Sequence, residues 1–143
     1  MQIQHMGSGV SITAADIEAI NRLLAQLSER APRVSIDDVL DVAANAELFL
    51  LRDDAYTLRG MATLAICCKL MGREGLVEDV VVDEAFRGQG GGALLMRALI
   101  DHARELGLKS LLLTSSPRRA SARRLYASLG FSQYDTNVFG MRL

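Results

Sequence analysis

One segment constrains this chain more than any other: an apolar run, a turn with four glycines and then a long amphipathic pattern. The turn reads Arg87-Gly88-Gln89-Gly90-Gly91-Gly92. Glycine adopts positive φ without strain and lets a ligand approach the backbone closely. The first amides of a helix have no intrahelical partner and carry the positive end of its dipole. The segment therefore predicts an anion site that suits a diphosphate, with the charge of Arg87 beside it.

Two other phosphate-binding motifs compete for this segment. Gly88-x-Gly90-x-x-Ala93 matches the dinucleotide fingerprint, but that motif needs an acidic residue at the end of the next strand. The corresponding residues here are Thr114-Ser115-Ser116. A P-loop needs Gly-Lys-Ser/Thr, which this turn lacks. A nicotinamide or flavin binder therefore stays as the less favoured alternative.

Apolar periodicity predicts the remaining elements. Thr13 and Ser35 are the expected N-caps of two early helices, and Gly107 and Gly130 are expected to end two later ones. The first strand would fall in residues 1–9, which are either native or vector-derived. The predicted helices are 13–27, 35–45, 90–106 and 121–129, and the predicted strands are 47–52, 57–69, 76–83, 110–114, 131–134 and 138–143. This order predicts an α/β (α+β) domain with a mixed, mostly antiparallel sheet flanked by helices, and one parallel pair at the long helix.

Composition narrows the class of protein further. The 143 residues fit one domain, 1–143, which can bury enough surface to fold without a disulfide or a metal. A net charge of −1 argues against a general nucleic-acid binder. No stretch predicts a membrane span or a signal peptide. Cys67 and Cys68 are neighbours that cannot easily bridge, which favours reduced thiols in the cytoplasm.

A second motif follows the glycine turn after one helix and one strand. It reads Ala122-Arg123-Arg124-Leu125-Tyr126-Ala127-Ser128-Leu129-Gly130-Phe131. Together the two segments resemble the GNAT (GCN5-related) N-acetyltransferases, whose motifs are Arg/Gln-x-x-Gly-x-Gly/Ala and A-x-x-L/F-Y-x-x-x-G-F. The resemblance covers residues 46–143 well and the first helices only in outline. It implies the GNAT acyl-CoA fold, a sheet splayed between strands 4 and 5, and acetyl-CoA as co-substrate with no metal.

The resemblance also implies the site. The pantetheine arm would pair with the backbone of strand 4, with the Val80 amide facing the thioester oxygen. Arg119 stands where many members carry asparagine. The cofactor-binding candidates are Val80, Val81, Val82, Arg87, Gly88, Gln89, Gly90, Gly91, Gly92, Ala93, Arg119 and Tyr126.

Three side chains are candidates for proton transfer, since an amine with a pKa near 10 must lose a proton before it attacks. Tyr126 is the expected general acid for the leaving thiolate, although a packing aromatic fits the position too. Glu78 is the preferred base, through a water, and Asp79 is second. The two carboxylates are expected on opposite faces of their strand. A salt bridge from Glu78 to an arginine is the alternative.

The expected function is acetyl transfer from acetyl-CoA to a primary amine of a small molecule or protein. The acceptor would lie between the first helices and the final hairpin. A non-catalytic acyl-CoA sensor is the main alternative. The resemblance also implies that two chains can pair as a homodimer.

Overall fold

The computed structural model describes residues 1–7 and 11–143, so Ser8 and Gly9 of the predicted first strand lie outside the described residues. Its sheet contains five strands in the order β1-β2-β3-β4-β5, antiparallel except for the parallel β4–β5 pair. The strands are β1 Gln2–Met6, β2 Glu47–Arg52, β3 Leu58–Lys69, β4 Gly72–Val82 and β5 Leu111–Leu112. The helices are α1 Ala14–Leu27, α2 Ile36–Asn45, α3 Gly91–Glu105 and α4 Ala120–Ser128. The α+β class predicted from the sequence is confirmed.

Strand β2 shows how the sheet separates two cores. Side chains alternate between the faces of a strand. Leu48 and Leu50 pack with α1 and α2, whereas Phe49 and Leu51 pack with α3 and α4. All four are buried, which explains why β2 reads as a continuous apolar run.

The helix ends follow the sequence closely. Thr13 and Ser35 each form a reciprocal capping box with an aspartate three residues later. Gly107 and Gly130 adopt φ of +70° and +95° after α3 and α4. After α4, the amide of Gly130 donates to Ala127 and that of Phe131 donates to Tyr126, which is a Schellman motif. The predicted first and last residues of all four helices are therefore confirmed to within one or two residues.

The two final predicted strands, 131–134 and 138–143, are wrong. The Phe131 amide is used by the cap of α4, and residues 131–143 contain no strand. Strand β5 is also shorter than the predicted 110–114, so it offers little edge for a further hairpin, and an unsupported hairpin is marginal in water. The tail instead leaves Val138, Phe139 and Met141 largely exposed.

An ion pair fastens α1 to the sheet. Arg52 donates to both carboxylate oxygens of Asp16, at 2.8 and 3.2 Å. The two side chains are only 3% and 9% exposed. Burial favours the neutral acid, but hydrogen bonds from Arg52 and Thr13 outweigh it and hold the pKa of Asp16 below its usual value.

Across the described residues, no helix is both long and apolar enough to cross a bilayer.

Candidate active site

The sheet opens between β4 and β5. The two strands pair at Gly75 with Leu111 and at Leu76 with Leu112, and the pairing then stops. Strand β4 continues to Val82 without a partner on that side among the described residues. A cavity of about 1120 Å³ lies at this opening, between β4, β5, α3 and α4. The predicted splay is therefore present, and it leaves backbone amides and carbonyls of β4 available to a ligand.

A β-bulge shapes the same stretch of β4. Thr63 of β3 faces Glu78, but Met61 faces Val81, so β4 carries one extra residue. Asp79 lies at this bulge with φ of +54°, and it accepts a hydrogen bond of 3.1 Å from the Thr63 hydroxyl. The expectation that Glu78 and Asp79 alternate across an ordinary strand is therefore wrong at this point. Both carboxylates are exposed, so neither needs a buried partner.

The four glycines of the turn divide into two pairs. Gly88 and Gly90 have φ of +78° and +83°, and a Cβ at either would meet no atom of the described residues within 4 Å. Gly90 is the N-cap of α3 and makes no side-chain cap, so it leaves the first amides of the helix without the partner that a capping side chain would supply. Gly91 and Gly92 serve packing instead: a Cβ at Gly91 would lie 2.7 Å from Leu51, and one at Gly92 would lie 3.1 Å from Leu125. The positive-φ pair shapes the turn, and the other pair lets the start of α3 pack closely against Leu51 and Leu125.

Side chains hold the start of this turn in place. Arg87 donates from Nε to the carbonyl of Val82, 3.1 Å away, which keeps the guanidinium beside the end of β4. Asp83 is 5% exposed and accepts a hydrogen bond from the Ala85 amide. The Gln26 side chain of α1 donates a hydrogen bond from Nε2 to Asp83 Oδ1 at 3.4 Å, and its Oε1 accepts one from the Glu84 amide at 2.9 Å. The turn is therefore anchored to both the sheet and α1.

Tyr126 is buried near the end of α4 and borders the cavity. Its ring meets Phe131 edge to face, with centroids 5.9 Å apart. Burial raises the pKa of the Tyr126 hydroxyl, and the charge of Arg119 opposes this in part. The hydroxyl therefore stays protonated at neutral pH, as a proton donor must.

The structure brings some of the predicted residues together and separates others. Glu78 and Tyr126 both line the cavity. Asp79, the three valines, the glycine turn and Arg119 do not line it. Val80 and Val82 pack on the α3 side, whereas Val81 is buried on the α1 side. A Cβ at Gly92 would lie 3.1 Å from Leu125, so the start of α3 nevertheless lies close to α4, one residue from Tyr126.

Ser115 is a cavity residue that no sequence motif indicated. Its Oγ is buried and has no hydrogen-bond partner among the described residues, and the residue lines the cavity. Buried hydroxyls are normally paired, so this oxygen is available to a bound molecule. The sequence signal for this residue was the polar run Thr114-Ser115-Ser116 after β5, which was interpreted only as evidence against a dinucleotide site.

The charge on the cavity wall is mostly positive. Four basic side chains and one acidic side chain are among its lining residues. They are Arg104, Lys109, Arg123, Arg124 and Glu78. A wall of this charge favours an anionic ligand.

Comparison with known proteins agrees with this geometry. The sequence profile of the acetyltransferase (GNAT) family matches residues 18–131. The chain is 36% identical over 117 residues to glucosamine 6-phosphate N-acetyltransferase 1 of Oryza sativa subsp. japonica, covering 78% of this chain and 68% of that protein. It is 30% identical over 132 residues to glucosamine 6-phosphate N-acetyltransferase of Trypanosoma brucei brucei, covering 87% and 88%.

A solved structure extends the comparison to three dimensions. The crystal structure of an acetyltransferase of Trypanosoma brucei superposes with a TM-score of 0.74 at 26% identity, covering 99% of each chain. The matched range includes both the glycine turn and Tyr126, and it decides against the dinucleotide-binding alternative. The chain belongs to the GNAT acetyltransferase family and is an acetyl-CoA-dependent N-acetyltransferase.

Proposed function

We propose that this N-acetyltransferase acetylates the primary amine of a phosphorylated amino sugar. The observation that carries the proposal is the positively charged cavity wall, which adjoins Glu78 and Tyr126. A phosphate on the acceptor would be attracted to Arg123 and Arg124, while its amine points toward Glu78. The two glucosamine 6-phosphate N-acetyltransferases that resemble the chain support the same acceptor class.

The proposed site divides the work among residues of one domain, 1–143. The first amides of α3 and Arg87 would hold the diphosphate of acetyl-CoA, with Gly88, Gln89 and Gly90 shaping the turn. The opened edge of β4 would pair with the pantetheine arm, and the Val80 amide would stabilise the oxyanion. Arg119 and the Ser115 hydroxyl are further contacts on the α4 side.

Proton transfer would fall to the two cavity residues. Bound acetyl-CoA supplies a thioester whose thiol is a tolerable leaving group. Glu78 would take the amine proton through a water, and Tyr126 would return a proton to the departing thiolate. Asp79 is the weaker candidate for the base because its carboxylate is engaged by Thr63.

An acceptor panel tests the proposal directly. Release of free CoA would be measured with glucosamine 6-phosphate, glucosamine and a peptide with an N-terminal alanine. We expect kcat/KM to be highest for the sugar phosphate. Turnover of the peptide, with none of either sugar, would refute the acceptor class while leaving the acetyltransferase activity intact.

A pair of variants tests the role of charge. Arg123→Gln should raise KM for glucosamine 6-phosphate but not for glucosamine, since only the first carries a phosphate. Arg97→Gln is the matched control, because Arg97 is exposed on α3 and does not line the cavity.

We further propose a cytoplasmic homodimer. The exposed apolar side chains of the tail, Val138, Phe139 and Met141, offer a surface that a second chain could cover. Free thiols at Cys67 and Cys68 suit a reducing compartment. Light scattering of the full chain, compared with a Val138→Ser/Phe139→Ser variant, would detect the dimer.

A further inference from the structure

Three chemically reactive side chains meet on the α3 face of the sheet, away from the cavity. They are His5 of β1, Glu47 of β2 and His102 of α3. His5 lies opposite Phe49 in the β1–β2 pairing, and Glu47 is two residues before Phe49. The side chains of His5 and Glu47 therefore project from the same face of the sheet. The ring of His5 stacks on Phe49 with centroids 4.7 Å apart, and His102 completes the group from above.

The distances show that the three side chains converge on one point. Glu47 Oε2 lies 2.5 Å from His5 Nε2 and 3.2 Å from His102 Nε2. The donor atoms of the trio all lie within 4.8 Å of one another. His102 Nε2 is nevertheless buried without a hydrogen-bond partner among the described residues, since it is poorly aligned with the Glu47 oxygen. A buried ring nitrogen of this kind requires another partner.

This donor set matches the coordination chemistry of zinc. Two imidazoles and one carboxylate, with a water in the fourth position, form a common open tetrahedral site. Bonds of about 2.0–2.1 Å place tetrahedral ligand atoms roughly 3.4 Å apart, so small side-chain movements would bring the three atoms into place. The side chains are 35%, 27% and 21% exposed, which leaves room for a water on the solvent side.

A neighbouring carboxylate supports the arrangement. Glu105 Oε2 lies 3.7 Å from His102 Nδ1, one helical turn along α3. Histidines that ligate a metal usually direct their other ring nitrogen to a carboxylate, which fixes the tautomer and the ring orientation. A small side-chain movement would bring Glu105 within hydrogen-bond distance of Nδ1 and so orient His102 for a metal bound at Nε2.

We propose that His5, Glu47 and His102 bind one divalent transition-metal ion of the zinc class, which clips the β1–β2 edge of the sheet to α3. The site is separate from acetyl transfer. His102 lies eleven residues beyond Gly91, about 16 Å along the helix from the glycine turn. The proposed metal stabilises the fold. It takes no part in acetyl transfer, the reaction for which no metal was predicted.

Zinc titration of the chelator-treated, untagged full chain tests the proposal. Calorimetry should show about one Zn²⁺ per chain, and a melting temperature that rises with zinc concentration. Glu47→Gln and His102→Gln should each weaken the binding at least about tenfold, because each removes a ligand. The matched control is Cys67→Ser/Cys68→Ser, which removes the other strong zinc donors of the chain and should bind zinc like the parent protein.

Two outcomes would overturn the site. One is zinc binding that disappears in the cysteine variant and persists in His102→Gln. The other is an absence of saturable binding by the parent protein at millimolar Zn²⁺. Visible absorption of the Co²⁺-substituted parent protein, which should show four-coordinate bands without a thiolate charge-transfer band, tests the ligands even if a variant fails to fold. These experiments measure metal binding and not release of CoA, so the zinc site and the proposed function are tested independently.

Discussion

At the scale of single residues, Tyr126 is distinguished by its burial beside the cavity and its raised pKa. Tyr126→Phe keeps the packing against Phe131 but removes the hydroxyl that we propose as the proton donor. We expect kcat to fall about 100-fold, at the low end for a general acid, because thiolate is a tolerable leaving group. Steady-state kinetics would show KM for acetyl-CoA little changed.

The pH profile and a control complete this test. Since the pKa of Tyr126 lies above the ordinary tyrosine value, the hydroxyl should remain protonated up to about pH 10. Loss of activity of the parent enzyme through deprotonation of this group should begin only above that pH. Tyr56→Phe, which removes an exposed hydroxyl that does not line the cavity, should have normal kcat. A fully active Tyr126→Phe enzyme would make the residue a packing aromatic.

The adjacent carboxylates of β4 offer a matched pair of substitutions. Glu78→Gln should lower kcat about 100-fold near neutral pH, and the defect should shrink as the pH rises above the pKa of the acceptor amine, where the amine is already deprotonated. Asp79→Asn removes a charge one residue away, and asparagine tolerates the positive φ at this bulge. Rate–pH profiles in which Asp79→Asn is the slower enzyme would reverse the assignment.

Among the secondary-structure elements, α3 has a positive-φ glycine at each end, and a methyl group on either glycine would touch no other described residue. Gly90→Ala and Gly107→Ala should therefore both destabilise the fold by about 1–2 kcal/mol through backbone strain alone. Only Gly90→Ala should also raise KM for acetyl-CoA, because the proposed diphosphate site lies at this end of the helix alone. Urea unfolding and kinetics on the two variants would separate the effects, and equal KM values would argue against diphosphate binding there.

Elements could be predicted from the sequence where local chemistry decides the structure. The capping residues Thr13 and Ser35 and the helix-ending glycines act within one turn of the chain, so their positions were predicted well. The bulge at Asp79 depends on the register between β3 and β4, which no pattern in β4 alone reveals. The tail was predicted as strands because it is apolar, but strand formation also requires a neighbouring edge.

The candidate site shows the same division. The glycine turn and Tyr126 were found through sequence motifs, since each motif places a backbone feature and a side chain at fixed spacing. Ser115 was missed because its importance comes from burial of its hydroxyl, which is a tertiary property. The His5–Glu47–His102 cluster joins residues from β1, β2 and α3, so no local pattern could reveal it.

At the scale of the whole molecule, the Asp16–Arg52 pair joins α1 to the sheet. Arg52→Met would leave the Asp16 carboxylate buried without its partner, so we expect a loss of about 3–5 kcal/mol in the free energy of unfolding at pH 7. Because the folded pKa of Asp16 is depressed, its contribution is present above the unfolded pKa of about 3.9 and disappears as pH falls through the folded value.

Urea unfolding at several pH values checks this prediction. The difference in the free energy of unfolding between the parent protein and Arg52→Met should narrow as the pH falls through the Asp16 pKa of the variant, where protonation removes the unpaired charge. It should be smallest below the depressed Asp16 pKa of the parent protein. Asp16→Asn/Arg52→Met should be more stable at pH 7 than Arg52→Met alone. A difference that does not change with pH would assign the loss to side-chain packing.

Gln26 lies on α1, yet it forms hydrogen bonds with the Asp83 carboxylate and the Glu84 amide, which lead into the glycine turn. We therefore expect a substitution at Gln26, which lies outside the proposed cofactor site, to lower the affinity for acetyl-CoA by loosening the residues that lead into the glycine turn. Searches for natural or engineered variants with altered cofactor use would overlook this position if they sampled only the residues around the cavity.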